Sequence, residues 1–283
     1  MEVFLECLPC MLKGALEAAQ MATDDAAVRR QIMADALGVL QNYATYQNAP
    51  DIARRFQRIV KARTGNTDPY AAIKRRDLQK ALDLLPQVRQ TVETAGDPLY
   101  AALKAAATGN VLDSAVSLDY DISLFDAELQ TPFAVCDQAA LVEKLQTAES
   151  LLLIGDNTGE TVFDALLLQR FPNLKLTYAV RSAPALNDTT LAEAVASGLD
   201  QYAEIISTGC DVPGVLLEEC SEEFLSCFYG ADIVISKGQG NYETLSECPR
   251  DIFCLLKAKC PVIARVLGVA LNDFVFQYHP GES

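Results

Sequence analysis

Histidine is nearly absent from this sequence, which has a single one, His279, among 283 residues. A hydrolase of the Ser-His-Asp type needs a histidine beside its nucleophile, and a histidine this close to the acidic end of the chain is a poor candidate. We therefore expect His279 to be exposed. The sequence argues against that class of hydrolase.

Basic residues are also scarce, because 23 Lys and Arg face 38 Asp and Glu for a net charge of −15. A nucleic-acid groove needs clustered positive charge, so the composition argues against nucleic acid as a partner. No apolar run approaches the roughly 20 residues that cross a bilayer. The first residues lack the basic region of a signal peptide. We expect a cytoplasmic protein that does not enter membranes and whose nine cysteines are mostly reduced.

The common nucleotide-binding signatures are missing. The sequence contains neither G-x-x-x-x-G-K-[ST] nor G-x-G-x-x-G after its first predicted strand, and Gly238 and Gly240 form too short a glycine motif to replace them. These absences argue against a nucleotide-binding α/β protein.

The second half of the chain alternates short apolar runs with amphipathic stretches. Such a rhythm predicts a parallel sheet with right-handed crossovers and helices on both faces. The predicted strands are 151–154, 174–180, two that begin near 203 and 231, and 261–264, and the predicted helices are 161–170, one from Leu191, 222–229 and 250–257. The sequence thus predicts an α/β fold, a three-layer α/β/α sandwich with a mainly parallel sheet.

The first half is predicted to be helical. Residues 1–108 carry no convincing strand, and amphipathic stretches follow Pro50, Pro69, Pro86 and Pro98, as expected if each proline opens a helix. Residues 109–131 break this pattern and are predicted to cross between domains. We expect an all-helical domain with this interdomain segment over 1–130 and an α/β domain over 131–283.

Metal-competent side chains follow two of the predicted strands. Asp156 and Asn157 come directly after the first strand, and Asp188 follows the second. Ligands of open α/β sheets bind outside the carboxyl ends of the strands, where these residues are predicted to converge. An alternative is that Asp156 and Asn157 only cap the next helix.

Two cysteines differ from the other seven. Cys7 and Cys10 form a Cys-x-x-Cys at the predicted opening of a helix, where thiolates gain from backbone N–H groups. Their role is left open between structural packing, an active-site role and redox or metal binding. The others are predicted to be small buried hydrophobes: Cys136, Cys210, Cys220, Cys227, Cys248, Cys254 and Cys260.

Several short motifs occur together in one order. They are the Cys-x-x-Cys, the Gly-Asn-x-x-Asp of 109–113, and residues 155–160, 181–188, 207–211 and 236–243. In this combination the chain resembles the DUF89 damage-control phosphatases, in the microbial subgroup with an amino-terminal Cys-x-x-Cys. The resemblance implies a helical domain packed on an α/β/α sandwich and a divalent-metal-dependent phosphatase of small phosphometabolites. It also implies that Asp156, Asn157 and Asp188 bind the metal.

The residues themselves support the same chemistry. Two carboxylates and an amide form a hard oxygen site suited to Mg²⁺ or Mn²⁺, with Co²⁺ or Ni²⁺ as substitutes. Such an ion polarises a phosphoryl group and acidifies water. A covalent aspartyl-phosphate is disfavoured, because no second Asp lies two residues after Asp156. Asp188 or Asp211 is a candidate base for orienting water.

Lys237 follows a predicted strand beside two glycines, where it could neutralise phosphate; a solvated loop lysine is the alternative. The predicted catalytic residues are Asp156, Asn157, Asp188 and Lys237. Further residues are expected at the substrate, although Asn241 and Glu243 could instead cap a helix: Arg181, Ser182, Asp211, Asn241, Glu243, Asn110, Asp113 and Glu160. The expected partner is a small phosphorylated metabolite such as a sugar phosphate. A non-catalytic sensor of metal or phosphometabolite is the alternative function.

Overall fold

A computed structural model describes residues 1–110 and 122–281 of the protein, without the side chains of 122–124. Its twelve described helices are α1 Cys7–Ala22, α2 Ala26–Leu40, α3 Ala49–Thr64, α4 Ala71–Thr94, α5 Pro98–Gly109, α6 Ile122–Gln130, α7 Gln138–Lys144, α8 Thr161–Leu168, α9 Leu191–Ala196, α10 Glu222–Gly230, α11 Gly238–Leu245 and α12 Pro261–Leu267. Its seven described strands are β1 Phe133–Cys136, β2 Ser150–Ile154, β3 Lys175–Val180, β4 Glu204–Ser207, β5 Ile233–Lys237, β6 Ile252–Lys257 and β7 Phe274–His279.

The strands form one sheet in the order β1-β7-β6-β5-β2-β3-β4. Strands β2 to β6 run parallel, whereas β7 is antiparallel to β6 and parallel to β1. From β2 the chain winds outward to β3 and β4, and then returns to β5 on the other side of β2. The carboxyl ends of β2 and β5 therefore mark the switch point where α/β sheets bind ligands.

Helices cover both faces of this sheet because the strands are apolar on both sides. In β2, Leu151 and Leu153 belong to a core shared with α4, α5 and α8, whereas Leu152 and Ile154 belong to a core shared with α10, α11 and α12. Gly109 allows α5 to lie close to α8, since a Cβ there would be 2.9 Å from the Phe163 ring. These layers confirm the predicted α/β/α fold class.

The amino-terminal helices form smaller cores of their own. Helices α1, α2 and α3 pack around Ile52 and Phe56, and a neighbouring cluster surrounds Val60 and Tyr70. Helix α3 also contacts α11. Helices α4 and α5, by contrast, share their core with the sheet, so the helical region is anchored to the sandwich at two places.

Two predicted elements near the end of the chain are wrong. Residues 250–257, predicted as a helix, form β6, and residues 261–264, predicted as a strand, begin α12. A short apolar run fits a buried strand and a buried helix equally well, which explains the first error. The second overlooks a helix-start signal, because Pro261 lies in the first turn of α12 and the Cys260 thiol accepts a hydrogen bond from the Ile263 N–H.

Three smaller expectations are also corrected. Pro86 lies inside α4 instead of opening a helix, and the last part of the predicted interdomain segment is helical, as α6. His279 is half-buried at the end of β7, with its ring 5.7 Å from that of Tyr242, instead of exposed. Over the described part of the chain, none of the helices is long and apolar enough to cross a membrane.

Candidate active site

Asp156 and Asn157 lie just past the carboxyl end of β2, where the backbone leaves the buried strand. The loop after β3 is fastened to them by backbone hydrogen bonds, from the Thr158 N–H to the Asn187 carbonyl at 3.0 Å and from the Thr189 N–H to the Asp156 carbonyl at 2.8 Å. Asn157 and Asp188 pair in a short antiparallel bridge. The three predicted metal ligands therefore lie together at the sheet edge.

Arg181 holds this arrangement from the end of β3. Its Nε donates to Asp188 Oδ2 at 2.7 Å, and one terminal nitrogen donates to Asn241 Oδ1 at 2.9 Å. Asn241 in turn donates to the Gly155 carbonyl at 2.9 Å. Arg181 is 2% exposed. Its guanidinium thus fixes the two loops and α11 relative to one another.

A second buried cluster lies behind Asp156. The Lys237 amine donates to Glu160 at 2.6 Å and to Asp164 at 2.7 Å, and the Tyr178 hydroxyl donates to Asp164 at 2.8 Å. Asn110 donates to Asp156 at 3.2 Å and also to Glu160. Lys237 is fully buried. It is neither a solvated loop lysine nor exposed to the cavity.

Buried carboxylates outnumber buried cations in the described part of the site. Burial, followed by the nearby charges of Asp188 and Glu160, raises the pKa of Asp156 well above its ordinary value. Burial likewise raises the pKa of Asp164 to about 6, against the attraction of Lys237. Four buried carboxylates, Asp156, Glu160, Asp164 and Asp188, here face two fully buried cations, Lys237 and Arg181. The excess negative charge is what a divalent cation would neutralise.

The donor chemistry also fits such an ion. The Asn157 side-chain nitrogen donates to Glu160 at 2.9 Å and to Asp156 at 3.3 Å, so its oxygen is the atom suited to a cation. Within residues 1–110 and 122–281, no three side chains of the His, Cys, Asp and Glu types form a metal-binding group. A metal at this edge would therefore need the amide oxygen of Asn157 together with the carboxylates of Asp156 and Asp188.

Gly238 lets the start of α11 lie directly against Asp156. Its φ is +77°, and a Cβ at this position would be 1.8 Å from Asp156 Oδ2. Any side chain would therefore displace the carboxylate as well as strain the backbone. The glycine beside Lys237 is required by the packing of Asp156.

A cavity of about 490 Å³ opens above these residues. Asp156, Asn157, Asp188 and Asn110 line its inner end, and Glu243 and Lys259 line it from the α/β side. Burial raises the pKa of Glu243 to about 7. Helices α1 and α3 complete the wall, and both Cys7 and Cys10 face the same space. The predicted Cys-x-x-Cys thus lies at the start of α1 and at this cavity.

The family relation follows from comparison with known proteins. The sequence of residues 3–275 matches the family model described as the damage-control phosphatase ARMT1-like domain. The chain belongs to this family. Its relatives include the damage-control phosphatase PH1575 of Pyrococcus horikoshii, 35% identical with 97% of each chain covered, and a damage-control phosphatase of Archaeoglobus fulgidus, 30% identical with 95% of this chain and 96% of the relative covered.

A solved structure supports the same assignment. The crystal structure of a DUF89 family protein from Pyrococcus horikoshii has a TM-score of 0.88 with 33% identity and covers 99% of each chain. The resemblance to the DUF89 phosphatases is confirmed. Along the sequence of this ARMT1-like chain, a helical region comes before the strands of a mostly parallel sheet, as predicted.

Not all predicted site residues of this ARMT1-like chain lie together. Asp211 is held by Arg58 of α3, with an N–O distance of 2.7 Å, and does not line the cavity. Ser182 is exposed outside the cavity, and Asp113 lies outside the described residues. The others meet at the sheet edge or line the cavity: Asp156, Asn157, Asp188, Asn110, Glu160, Arg181, Lys237, Asn241 and Glu243.

Sequence reasoning overlooked Lys259 and Gln239. Lys259 lies two residues past β6, its charge acts on Asp156, and its backbone N–H donates to Gln239 Oε1. Because residues 250–257 were expected to be helical, no strand end was predicted near Lys259. Strands and helices alternate regularly from β2 onward, and this rhythm predicts a strand, not a helix, before Lys259. A strand there would place the lysine at the carboxyl edge of the sheet.

Proposed function

We propose that this protein is a divalent-metal-dependent phosphatase that hydrolyses small phosphorylated metabolites. The observation that carries the proposal is the group of Asp156, Asn157 and Asp188 at the inner end of the cavity, where buried carboxylates outnumber buried cations. Family membership supports phosphatase activity on damaged metabolites, since the relatives carry that name. Metal dependence and the nature of the substrate are our own inferences.

Asp156, Asn157 and Asp188 would hold the ion. When bound, Mg²⁺ or Mn²⁺, or Co²⁺ or Ni²⁺ in their place, supplies Lewis-acid polarisation of the phosphoryl group and a water of lowered pKa. Arg181 keeps Asp188 in place through its 2.7 Å hydrogen bond, so it acts as a positioning residue. Asn110, at the end of α5, is a positioning residue for Asp156, to which its side-chain nitrogen donates a hydrogen bond.

Two groups would act on the substrate itself. Lys259 lines the cavity and its charge acts on Asp156, so we assign it the neutralisation of phosphate oxygens. Asp188 is the better candidate than Asp211 for orienting water, because the Arg58 guanidinium holds the Asp211 carboxylate outside the cavity. The predicted phosphate role of Lys237 stays a prediction, and its two carboxylate contacts favour Lys259 for that role.

Replacing Asp156 by Ala tests the metal site. Asp156 sits in a loop at a cavity rather than in the apolar core, so the variant should fold normally but lose metal binding and phosphate release. Calorimetric titration with Mn²⁺ measures binding, phosphate release from a panel of phosphomonoesters measures turnover, and circular dichroism reports the fold.

Asp200→Ala is the matched control, because Asp200 is an exposed carboxylate outside the site. The control should bind metal and release phosphate as the unchanged protein does. Wild-type turnover by Asp156→Ala at limiting metal would show that the assigned centre is wrong. Metal binding without phosphate release from any compound would instead favour a sensor.

The charge of −15 disfavours nucleic acid as a partner, and we propose that the protein acts in the cytoplasm, away from membranes. Its expected ligand is a small phosphorylated metabolite.

A further inference from the structure

The two ends of the cavity differ in chemistry. At the inner end lie the carboxylates and amides of the candidate metal site, with Lys259 beside them. Away from that end, apolar side chains of three helices form much of the wall, and the carboxyl groups of Glu6 and Glu243 also line the cavity. The apolar residues include Cys7 and Met11 of α1, Pro50 and Ala53 of α3, and Pro261 and Val262 of α12.

This apolar wall offers few hydrogen-bond partners to a ligand. Pro50, Pro213 and Pro261 all line the cavity and have no backbone N–H. Thiols are weak donors and weak acceptors. A ligand that presents several hydroxyl groups to such a wall would give up hydrogen bonds to water without replacing them.

Some of the polar side chains at the cavity are already engaged by the protein. Asn110 donates to Asp156 and Glu160, and the Gln239 side-chain oxygen accepts the backbone N–H of Lys259. These hydrogen bonds fix Asn110 and Gln239 within the protein. Glu6 is engaged as well, because it accepts a hydrogen bond from Arg265. Glu243 also lines the cavity, but a single carboxyl group does not match the several hydroxyl groups of a sugar.

We propose that the substrate is a phosphate monoester whose alcohol portion carries an apolar chain or ring, rather than a polyhydroxylated sugar. The inference rests on the proposed phosphatase function and narrows its substrate class. The phosphate occupies the inner end, beside Asp156 and Lys259, and the alcohol portion lies along Met11, Ala53 and Val262.

The test compares monoesters of primary alcohols, so that the oxygen that leaves is similar throughout. The substrates are methyl, butyl and hexyl phosphate with glucose 6-phosphate and fructose 6-phosphate, each assayed in turn with Mg²⁺, Mn²⁺, Co²⁺ and Ni²⁺. Each methylene that becomes buried should raise kcat/KM about fourfold, which corresponds to about 0.8 kcal/mol. Hexyl phosphate should be the best substrate and the two sugar phosphates should be poor ones.

A pair of substitutions on α12 tests the wall directly. Val262→Thr replaces a methyl group at the cavity by a hydroxyl of nearly the same size, and Val266→Thr makes the same change at a position 42% exposed. Val262→Thr should lower the ratio of hexyl to glucose phosphate kcat/KM about fourfold, as expected for one buried methyl group. Val266→Thr should leave that ratio unchanged.

The outcomes separate this inference from the proposed function. Sugar phosphates hydrolysed faster than every alkyl phosphate would overturn the apolar substrate class while leaving a phosphatase. Equal kcat/KM for methyl and hexyl phosphate would also overturn it. Failure to release phosphate from any ester with any of the four metals would reject the phosphatase function itself.

Discussion

Two lysines at the carboxyl edge of the sheet have different surroundings, although both follow strand ends in the sequence. Lys237 is fully buried between Glu160 and Asp164, and these carboxylates raise its pKa although burial acts to lower it. Lys259 lines the cavity. Sequence position alone could identify a lysine at a strand end, but not which of the two lines the cavity.

Lys237→Met should therefore act mainly on stability. Removal of one partner from a buried ion pair leaves uncompensated charge and typically costs about 3–5 kcal/mol. Urea unfolding followed by circular dichroism measures the loss, with Lys175→Met at an exposed position as the control. Normal stability with strongly reduced turnover would instead support the phosphate role that the sequence predicts for Lys237.

Lys259→Ala should act mainly on turnover. Loss of a positioned charge opposite a developing phosphoryl charge typically lowers the rate by about 10²-fold to 10³-fold. Steady-state kinetics and Mn²⁺ titration measure the effect, which should spare metal affinity, and Lys175→Ala is the control. A Lys259→Ala variant with unchanged kinetics would remove this lysine from the phosphate site.

Single helices bring distant parts of the sequence to the site, and α1 is the clearest case. Its first turn carries Cys7 and Cys10, and burial raises the pKa of both thiols. The raised pKa values favour neutral thiols over reactive thiolates at neutral pH. Both cysteines line the cavity, and they do so as neutral thiols.

Replacing both cysteines by Ser should change activity or substrate preference more than thermal stability. Neither thiol is in the fully buried core, while both line the cavity. Thermal unfolding and the kcat/KM ratio of hexyl to glucose phosphate measure the two effects, and Cys136→Ser, half-buried outside the cavity, is the control. Loss of stoichiometric zinc with unfolding would point to a structural metal site, and wild-type behaviour in every assay would leave the pair as packing.

The elements that the sequence predicts well are those with two independent signals. β2 has an apolar run that ends at a glycine, and α10 has an amphipathic pattern that a serine cap precedes. β6 has only its apolar run, the prediction for α12 ignores the proline that opens the helix, and the order of the sheet depends on pairings that no local pattern contains. The convergence of Asp156 and Asp188 could be predicted because carboxyl ends of parallel strands share an edge. The cavity wall from α1 and α3 could not, because it depends on how helices dock.

At the scale of the whole molecule, the layers meet around an unusual buried charge. Lys104 of α5 is 2% exposed, its amine lies 2.9 Å from the centre of the Phe274 ring, and it donates to Thr108 at 3.3 Å. Burial lowers its pKa from 10.5 to about 7, although Glu128 acts in the opposite direction. The joint between the helical layer and the sheet thus contains a group that titrates near neutral pH.

This lysine should make folding depend on pH. Between pH 7 and 10.5 the unfolded chain holds a proton on Lys104 that the folded chain has released. The free energy of unfolding should therefore rise with pH across that window. Lys104→Met removes the titrating amine and therefore this dependence on pH. The free energy of unfolding of the variant should exceed that of the unchanged protein most near pH 7, and the difference should shrink toward pH 10.

Urea unfolding of both proteins at several pH values measures the difference. Lys175→Met serves again as the control, because Lys175 is exposed. Stability curves of Lys104→Met and the unchanged protein that run parallel with pH would contradict the lowered pKa of this lysine.

The residues that line the cavity come from distant parts of the sequence, among them Cys7 of α1 and Val262 of α12. During synthesis the ribosome delivers α1 first and α12 more than two hundred residues later. A nascent chain can form its early helices, but it cannot complete the cavity before α12 emerges. Phosphatase activity should consequently appear late in translation, and a prematurely terminated chain that lacks α12, and with it β7, should be inactive.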